Sequence, residues 1–271
     1  LWFELQKELQ QLPNEQSSAA IHDVRVAARR LRALLRSLRS EANPSAYAQL
    51  RFDLTNLGRE FADVRSADIY ERLTENFLAD CPDANLKDRA SLEGLLGRIT
   101  TSTRKSLAWR MQEDYWEQRS LRIDRSVRDD GLLLRSVRPV NGEYLSILRD
   151  SIAQSVHALR KRKCAVQTLH KQRIRIKSTR YVCEALAPLL GLDVRRAAAS
   201  LSKAQDLLGE LHDSSALIAW LESAPVPQPL LKQLVAAAHS NVTANRKRFL
   251  RSRPELRKRL RKLAKSLRVS A

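Results

Sequence analysis

His22, Arg25, Arg29 and Arg32 are the residues whose types and spacing first point to chemistry. On a helix they fall at about 0°, 300°, 340° and 280°, a strip about 80° wide. Arg36 and Arg39 extend the strip, and from His22 to Arg36 the row runs about 21 Å. Like charges at i,i+3 and i,i+4 repel by roughly 0.2–0.5 kcal/mol per pair, so the helix alone gains nothing from the row. A line of phosphates would gain from it. Arg offers a two-pronged donor to phosphate oxygens, Lys a point charge, and His a donor whose protonation an anion favours. The competing reading is a row that is merely solvated, or that bridges to acids on neighbouring helices. Glu60, Asp63, Asp68 and Glu71 are available for that.

The same segment must also pack. Val24, Ala28, Leu31, Leu35 and Leu38 cluster at about 160–240° on the wheel, a core-facing stripe that borders the cationic strip. A second segment repeats the design at an offset of 148 residues: His22 meets His170, Arg25 meets Arg173, Arg29 meets Lys177 and Arg32 meets Arg180. Its core-facing side is Gln172, Ile176, Thr179, Cys183 and Leu186. A further match follows each. Val64-Arg65-Ser66 lies 42 to 44 residues after His22, and Leu211-His212-Asp213 lies 41 to 43 after His170. Two matches at nearly equal spacing imply an internal duplication.

The elements that carry these rows read as helices almost throughout. They are expected over about 2–12, 18–40, 45–61, 65–79, 85–127, 143–163, 168–187, 194–211, 214–222, 228–251 and 255–267. Pro13, Pro44, Pro82, Pro139, Pro225, Pro227 and Pro254 punctuate them. Only seven Gly and nine Pro occur in 271 residues, too few turn-formers for a many-stranded β fold. Hydrophobic residues at 43% allow a packed core. The expected fold is all-α: two pseudo-two-fold-related bundles of four-helix type, residues 1–135 and 141–271, meeting at a basic central channel. Lys and Arg number 49 against 30 Asp and Glu, a net charge of +19 that points to anionic partners. No apolar run approaches the roughly 18 residues of a membrane span. Leu1-Trp2-Phe3 is followed directly by Glu4 and Lys7, so no signal peptide is expected. Cys81, Cys164 and Cys183 show no metal spacing, and reduced thiols in a cytoplasmic protein are expected.

The run His22-Asp23-Val24-Arg25-Val26-Ala27-Ala28-Arg29-Arg30-Leu31-Arg32 resembles the first signature of the CHAD family, the histidine α-helical domain. Leu169-His170-Lys171-Gln172-Arg173, continuing to Lys177, Arg180 and Tyr181, resembles its second signature. Leu201 to Asp213, with Lys203 and His212, is similar to the helix that follows. The resemblance runs from about residue 15 to 253. It implies two helical bundles around a basic channel, inorganic polyphosphate as ligand, no catalytic activity, and recruitment to polyphosphate granules. It adds Arg30, Arg65, Lys203 and His212 to the candidate ligand-binding residues. Two departures stand out: Arg65-Ser66-Ala67-Asp68 lacks one acid of the family's usual Arg-Asp-x-Asp turn, and His212 replaces a frequent Asn. The acidic Glu-x-Glu-x-Lys motif of the triphosphatase-type domain that often precedes the family does not occur.

Other features divide between readings. Arg160-Lys161-Arg162-Lys163 fits a channel mouth or a solvated helix end. Arg246 to Arg268 holds twelve basic residues and one acid, with Leu256, Leu260, Leu263 and Leu267 on one face. Docking of those leucines on the bundle is favoured over a membrane-surface or nucleic-acid helix. Trp109, Tyr115 and Trp116 are expected in the core. No cofactor or metal is expected. The alternatives for function are sequence-independent nucleic-acid binding and, behind it, an HD-type metal-dependent phosphohydrolase using His22-Asp23 and His212-Asp213, with His157 and His239 as further ligands.

Overall fold

A computed structural model of the chain describes residues 2–12, 17–37, 43–79, 85–111, 113–128, 141–160 and 165–269. Among them ten α-helices and no strands occur: α1 (Trp2–Gln11), α2 (Ser18–Ser37), α3 (Pro44–Glu60), α4 (Ala62–Ala79), α5 (Leu86–Arg110), α6 (Glu113–Arg128), α7 (Asn141–Ala158), α8 (Val166–Leu190), α9 (Leu192–Ser223) and α10 (Gln228–Val269). Two compact units emerge. The first comprises residues 1–71 and 94–138, the second 72–93 and 139–271.

The first unit is built on α2, whose Val24, Ala28, Leu31 and Leu35 are buried as the helical period requires. They join Leu5 and Leu9 of α1, Leu50, Leu54 and Leu57 of α3, and Leu107, Met111 and Ile123 in one core cluster. α3 begins where Asn43 caps it, its side chain accepting from the Ser45 and Ala46 amides, with Pro44 in the first turn where a missing N–H costs nothing. The expected helix over about 85–127 is two helices. The chain leaves its helical path at Met111, which is buried, so that α6 can pack against α3 instead of running on into solvent.

In the second unit α7 packs on α8, α8 on α9, α9 on α10, and α10 returns to α7, the closed ring of a four-helix bundle. Gln172, Ile176, Thr179, Cys183 and Leu186 are all buried. The two polar members reach across the α7–α8 seam, although the Gln172 side-chain oxygen is buried without a hydrogen-bond partner. Gln172 donates to the Ala158 carbonyl at 2.9 Å, and Thr179 donates to the Ser151 carbonyl at 2.9 Å with the Ser155 hydroxyl 2.8 Å away. Burial and, after it, Glu184 push the Cys183 thiol up to about 12, leaving it inert. Cys81 and Cys164 lie outside the described residues.

Three helix ends differ from the sequence reading. α8 continues through Pro188 to Leu190 and stops at Gly191, whose φ of 86° favours glycine and turns the chain directly into α9. α9 runs unbroken to Ser223, so no turn interrupts it after His212. α10 likewise runs through Pro254. That proline removes one backbone hydrogen bond, but the leucines beyond it, Leu256, Leu260, Leu263 and Leu267, are buried and hold the helix in line. They dock on the bundle. Trp109, expected in the core, is 71% exposed. It sits about 200° round α5 from buried Leu107, on the opposite face. The side chains of Tyr115 and Trp116 are outside the described residues. No described helix is long and apolar enough to cross a membrane.

Two ion pairs of the first unit should differ sharply in worth. Arg119 and Glu60 are 6% and 16% exposed, whereas Arg30 and Glu4 are 30% and 43% exposed. Glu60→Ala leaves a buried guanidinium without its partner and is expected to cost about 3–5 kcal/mol in urea unfolding. Glu4→Ala is expected to cost about 1 kcal/mol or less. In the second unit Phe249→Ala, at a site with no solvent exposure, is expected to cost about 3–5 kcal/mol by the same measurement.

Candidate polyanion-binding site

In the first unit α2 presents His22, Arg25, Arg29 and Arg32 along one side, and α4 brings Arg65 to it. The electrostatics report the assembly. Partial desolvation, then the Arg65 guanidinium, hold the His22 imidazole below its ordinary value near 6.5; Asp23 opposes, and Arg29 and Arg25 lower it further. Arg25 is half-buried and anchored, donating to the Gly58 carbonyl at the end of α3 at 2.9 Å. Arg30 is turned away. It lies about 80° round the helix from His22 and donates to Glu4 of α1 at 2.8 Å. The side chain of Arg36 falls outside the described residues, as does Arg39.

Arg65 and Asp68 lie inside α4, not in a turn. Asp68 accepts from Ser18 at the start of α2 and from Arg104 of α5, both at 2.8 Å. The clamp ties α4 to α2 and sets Arg65, one helical turn earlier, beside His22. Ser66, where the resemblance leads one to expect an acid, donates to the Ala62 carbonyl of its own helix.

Among the acids named from the sequence, Glu60 pairs with Arg119, Asp68 with Arg104, and Glu71 accepts from Thr100 at 3.4 Å. Asp63 is exposed.

The second unit assembles a matching set. The ring centroids of His170 on α8 and His212 on α9 are 5.6 Å apart and tilted by 48°. Partial desolvation, then Arg173, lower the His212 pKa; Asp213 opposes, and His170 and Lys177 add to the lowering. His170, Lys171, Arg173, His212 and Ser215 line a cavity of about 370 Å³ floored by Leu208 and Leu211. Arg180, ten residues along α8 from His170, does not line this cavity. Its guanidinium lies 3.5 Å from Glu184, donates to Ser202 at 3.0 Å and stacks 4.8 Å from the Tyr181 ring centre. Lys203 is exposed about 180° round α9 from His212, so the helix does not carry it to this cavity. Lys171 and Ser215 were not among the sequence candidates. Ser215 follows His212 by three residues, a same-face spacing that could have marked it.

Each set thus offers donors: a histidine whose pKa is lowered by partial desolvation and then by its cationic neighbours, and Arg or Lys beside it. Among the described residues no group of three or more His, Cys, Asp or Glu could hold a metal ion. An anion would relieve the mutual repulsion of either set and raise the histidine pKa values.

The comparisons with known proteins give a family and a fold. A family model described as the CHAD domain matches residues 4–222. No curated protein matches the sequence. Among solved structures, PptA from Streptomyces chartreusis superposes with a TM-score of 0.72 at 15% identity, covering 92% of this chain and 96% of that one. The CHAD domain from the plant Ricinus communis superposes with a TM-score of 0.69 at 21% identity, covering 96% of this chain and 87% of that one. At such identities the likeness is one of fold. The family model, spanning both histidine-centred rows, carries the assignment: this chain belongs to the CHAD domain family.

Proposed function

We propose that the protein binds long-chain inorganic polyphosphate through the two cationic sets and performs no chemistry on it. The observation that carries this reading is the pair of His/Arg/Lys clusters, His22 with Arg25, Arg29 and Arg65, and His212 with His170, Arg173 and Lys177. Of the acids near the first cluster, Asp68 pairs with Arg104 and Glu71 accepts from Thr100. Each cluster supplies a handful of charge-assisted hydrogen bonds worth roughly 1.5–3 kcal/mol apiece. A long polyanion can engage both sets at once, so that the second contact is intramolecular and affinity climbs with ligand length. A basic channel lined by both rows would serve that end. Membership of the CHAD family, associated with polyphosphate, supports the choice of ligand, and recruitment to polyphosphate granules would follow from it.

An HD-type hydrolase would need His22-Asp23 or His212-Asp213 to gather a divalent cation. Both histidines are instead surrounded by Arg and Lys, whose field opposes one. Sequence-independent nucleic-acid binding is the competing use of the same cations, and the test below separates the two.

Competition at near-physiological salt among long-chain polyphosphate, short-chain polyphosphate, duplex DNA and single-stranded RNA is expected to rank the long chain first. Arg25→Ala with Arg173→Ala is expected to weaken it about 100-fold. Equal binding of all four, or an indifferent double variant, would sink the proposal. Incubation with polyphosphate and divalent cations should release no orthophosphate.

The pH dependence has a definite sign. In the free protein the folded pKa of His22 and His212 lies below the unfolded value near 6.5. Stability is therefore full above about 6.5 and declines as pH falls from there towards the folded value. Bound polyphosphate stabilises the protonated rings, so affinity should rise as pH falls from about 8 to 6, with proton uptake measurable by calorimetry in buffers of different ionisation enthalpy. His22→Ala with His212→Ala should flatten that rise.

A further inference from the structure

The second unit carries another cavity, of about 1270 Å³, between α7, α8 and α10. Its volume exceeds the roughly 300–1,000 Å³ of small-molecule pockets. α7 packs on both α8 and α10. Residues 152–160 form the floor, with 167–175 of α8 on one wall and 261–265 of α10 on the other. The α7 and α8 sides each span about 12 Å, a little over two helical turns, and the α10 side about 6 Å. Ile152 and Val156 are buried in the floor, while Ala153 and Ala264 keep the surface low. Ile174, 49% exposed, stands in the α8 wall. His157, Arg160, Lys171, Arg175, Arg261 and Lys265 line the groove with the neutral Gln154, Gln167 and Thr168, and among the described residues no Asp or Glu does. A groove about two turns long between helical walls, with apolar residues in it and a charged lining that is entirely basic, has the shape and charge to receive one more helix. Nothing in polyphosphate binding uses an apolar surface.

We propose that this groove docks a short amphipathic helix of a partner protein, with leucine-like residues on one face and Asp or Glu flanking them. The apolar face would cover Ile174 and the alanines, and the acids would meet the rim. The proposal does not depend on the polyphosphate reading, because Ile174, Ala264 and Lys265 belong to neither histidine cluster.

The probe is a fluorescein-labelled, hydrocarbon-stapled helix of about three turns, leucine at i, i+4 and i+7 and glutamate beside them. A scrambled peptide of the same composition and vesicles of anionic lipid accompany it. Anisotropy on the full chain should show the stapled helix binding about tenfold or more above the scrambled one. Ile174→Gln with Lys265→Ser, both exposed positions, should erase that difference while leaving polyphosphate affinity within about twofold. Equal binding of the two peptides would overturn the proposal in favour of plain charge attraction, as would no binding at all. Vesicle binding that is lost in the double variant, without peptide binding, would assign the groove to lipid instead. Loss of polyphosphate affinity in parallel with helix affinity would make the groove part of the polyanion site and end the proposal. Failure of the polyphosphate reading alone would leave the helix result untouched.

Discussion

Mutual repulsion among like charges is the constraint on which this structure turns. His22, Arg25, Arg29 and Arg65 crowd one side of α2, and His170, Arg173, Lys177 and His212 crowd the α8–α9 seam. Nothing in the isolated helices favours either gathering. The fold tolerates them because each row borders a fully buried stripe, and hydrophobic burial there outweighs repulsion among partly solvated charges. Partial desolvation, and after it these neighbouring cations, lower the pKa of His22 and His212. Both rings shed charge that the site regains when an anion arrives.

The two units anchor their rows by different means. The first relies on charge held inside: Glu60 with buried Arg119, and Asp53, with no solvent exposure, within 3.3 Å of Arg122 and accepting from Gln49 at 2.8 Å. The second relies on neutral polar groups, Gln172, Thr179 and Ser155 between α7 and α8, and Ser214, Asn241 and Asn245 between α9 and α10. Neutral groups avoid the desolvation cost of buried ions and leave the bundle interior without fixed charge. The cations on its surface then have few acids to answer them.

Helix continuity also follows from packing over local signals. Pro254 and the polar stretch at His212-Asp213 both read as breaks, yet α10 and α9 run through them. In each case residues on both sides of the site are buried, so ending the helix would expose apolar surface, and at Pro254 that outweighs one missing hydrogen bond. Met111 shows the reverse. No breaker stands there, and the helix ends because its continuation could not reach the same core.

What the sequence by itself determined is whatever depends on spacing along one helix. The all-α class, the stripes Val24–Leu35 and Gln172–Leu186, the His/Arg/Lys rows and the docking leucines of α10 all follow from a period of 3.6 residues. The CHAD signatures rest on the same local runs. Tertiary structure alone decided what meets across helices: Arg65 beside His22, His212 over His170, Glu4 beside Arg30, Arg119 beside Glu60 and Arg104 beside Asp68. It also turned Trp109 outward. Those outcomes are set by which helix faces are apposed and at what height, and no repeat within a single helix encodes the distance to the next.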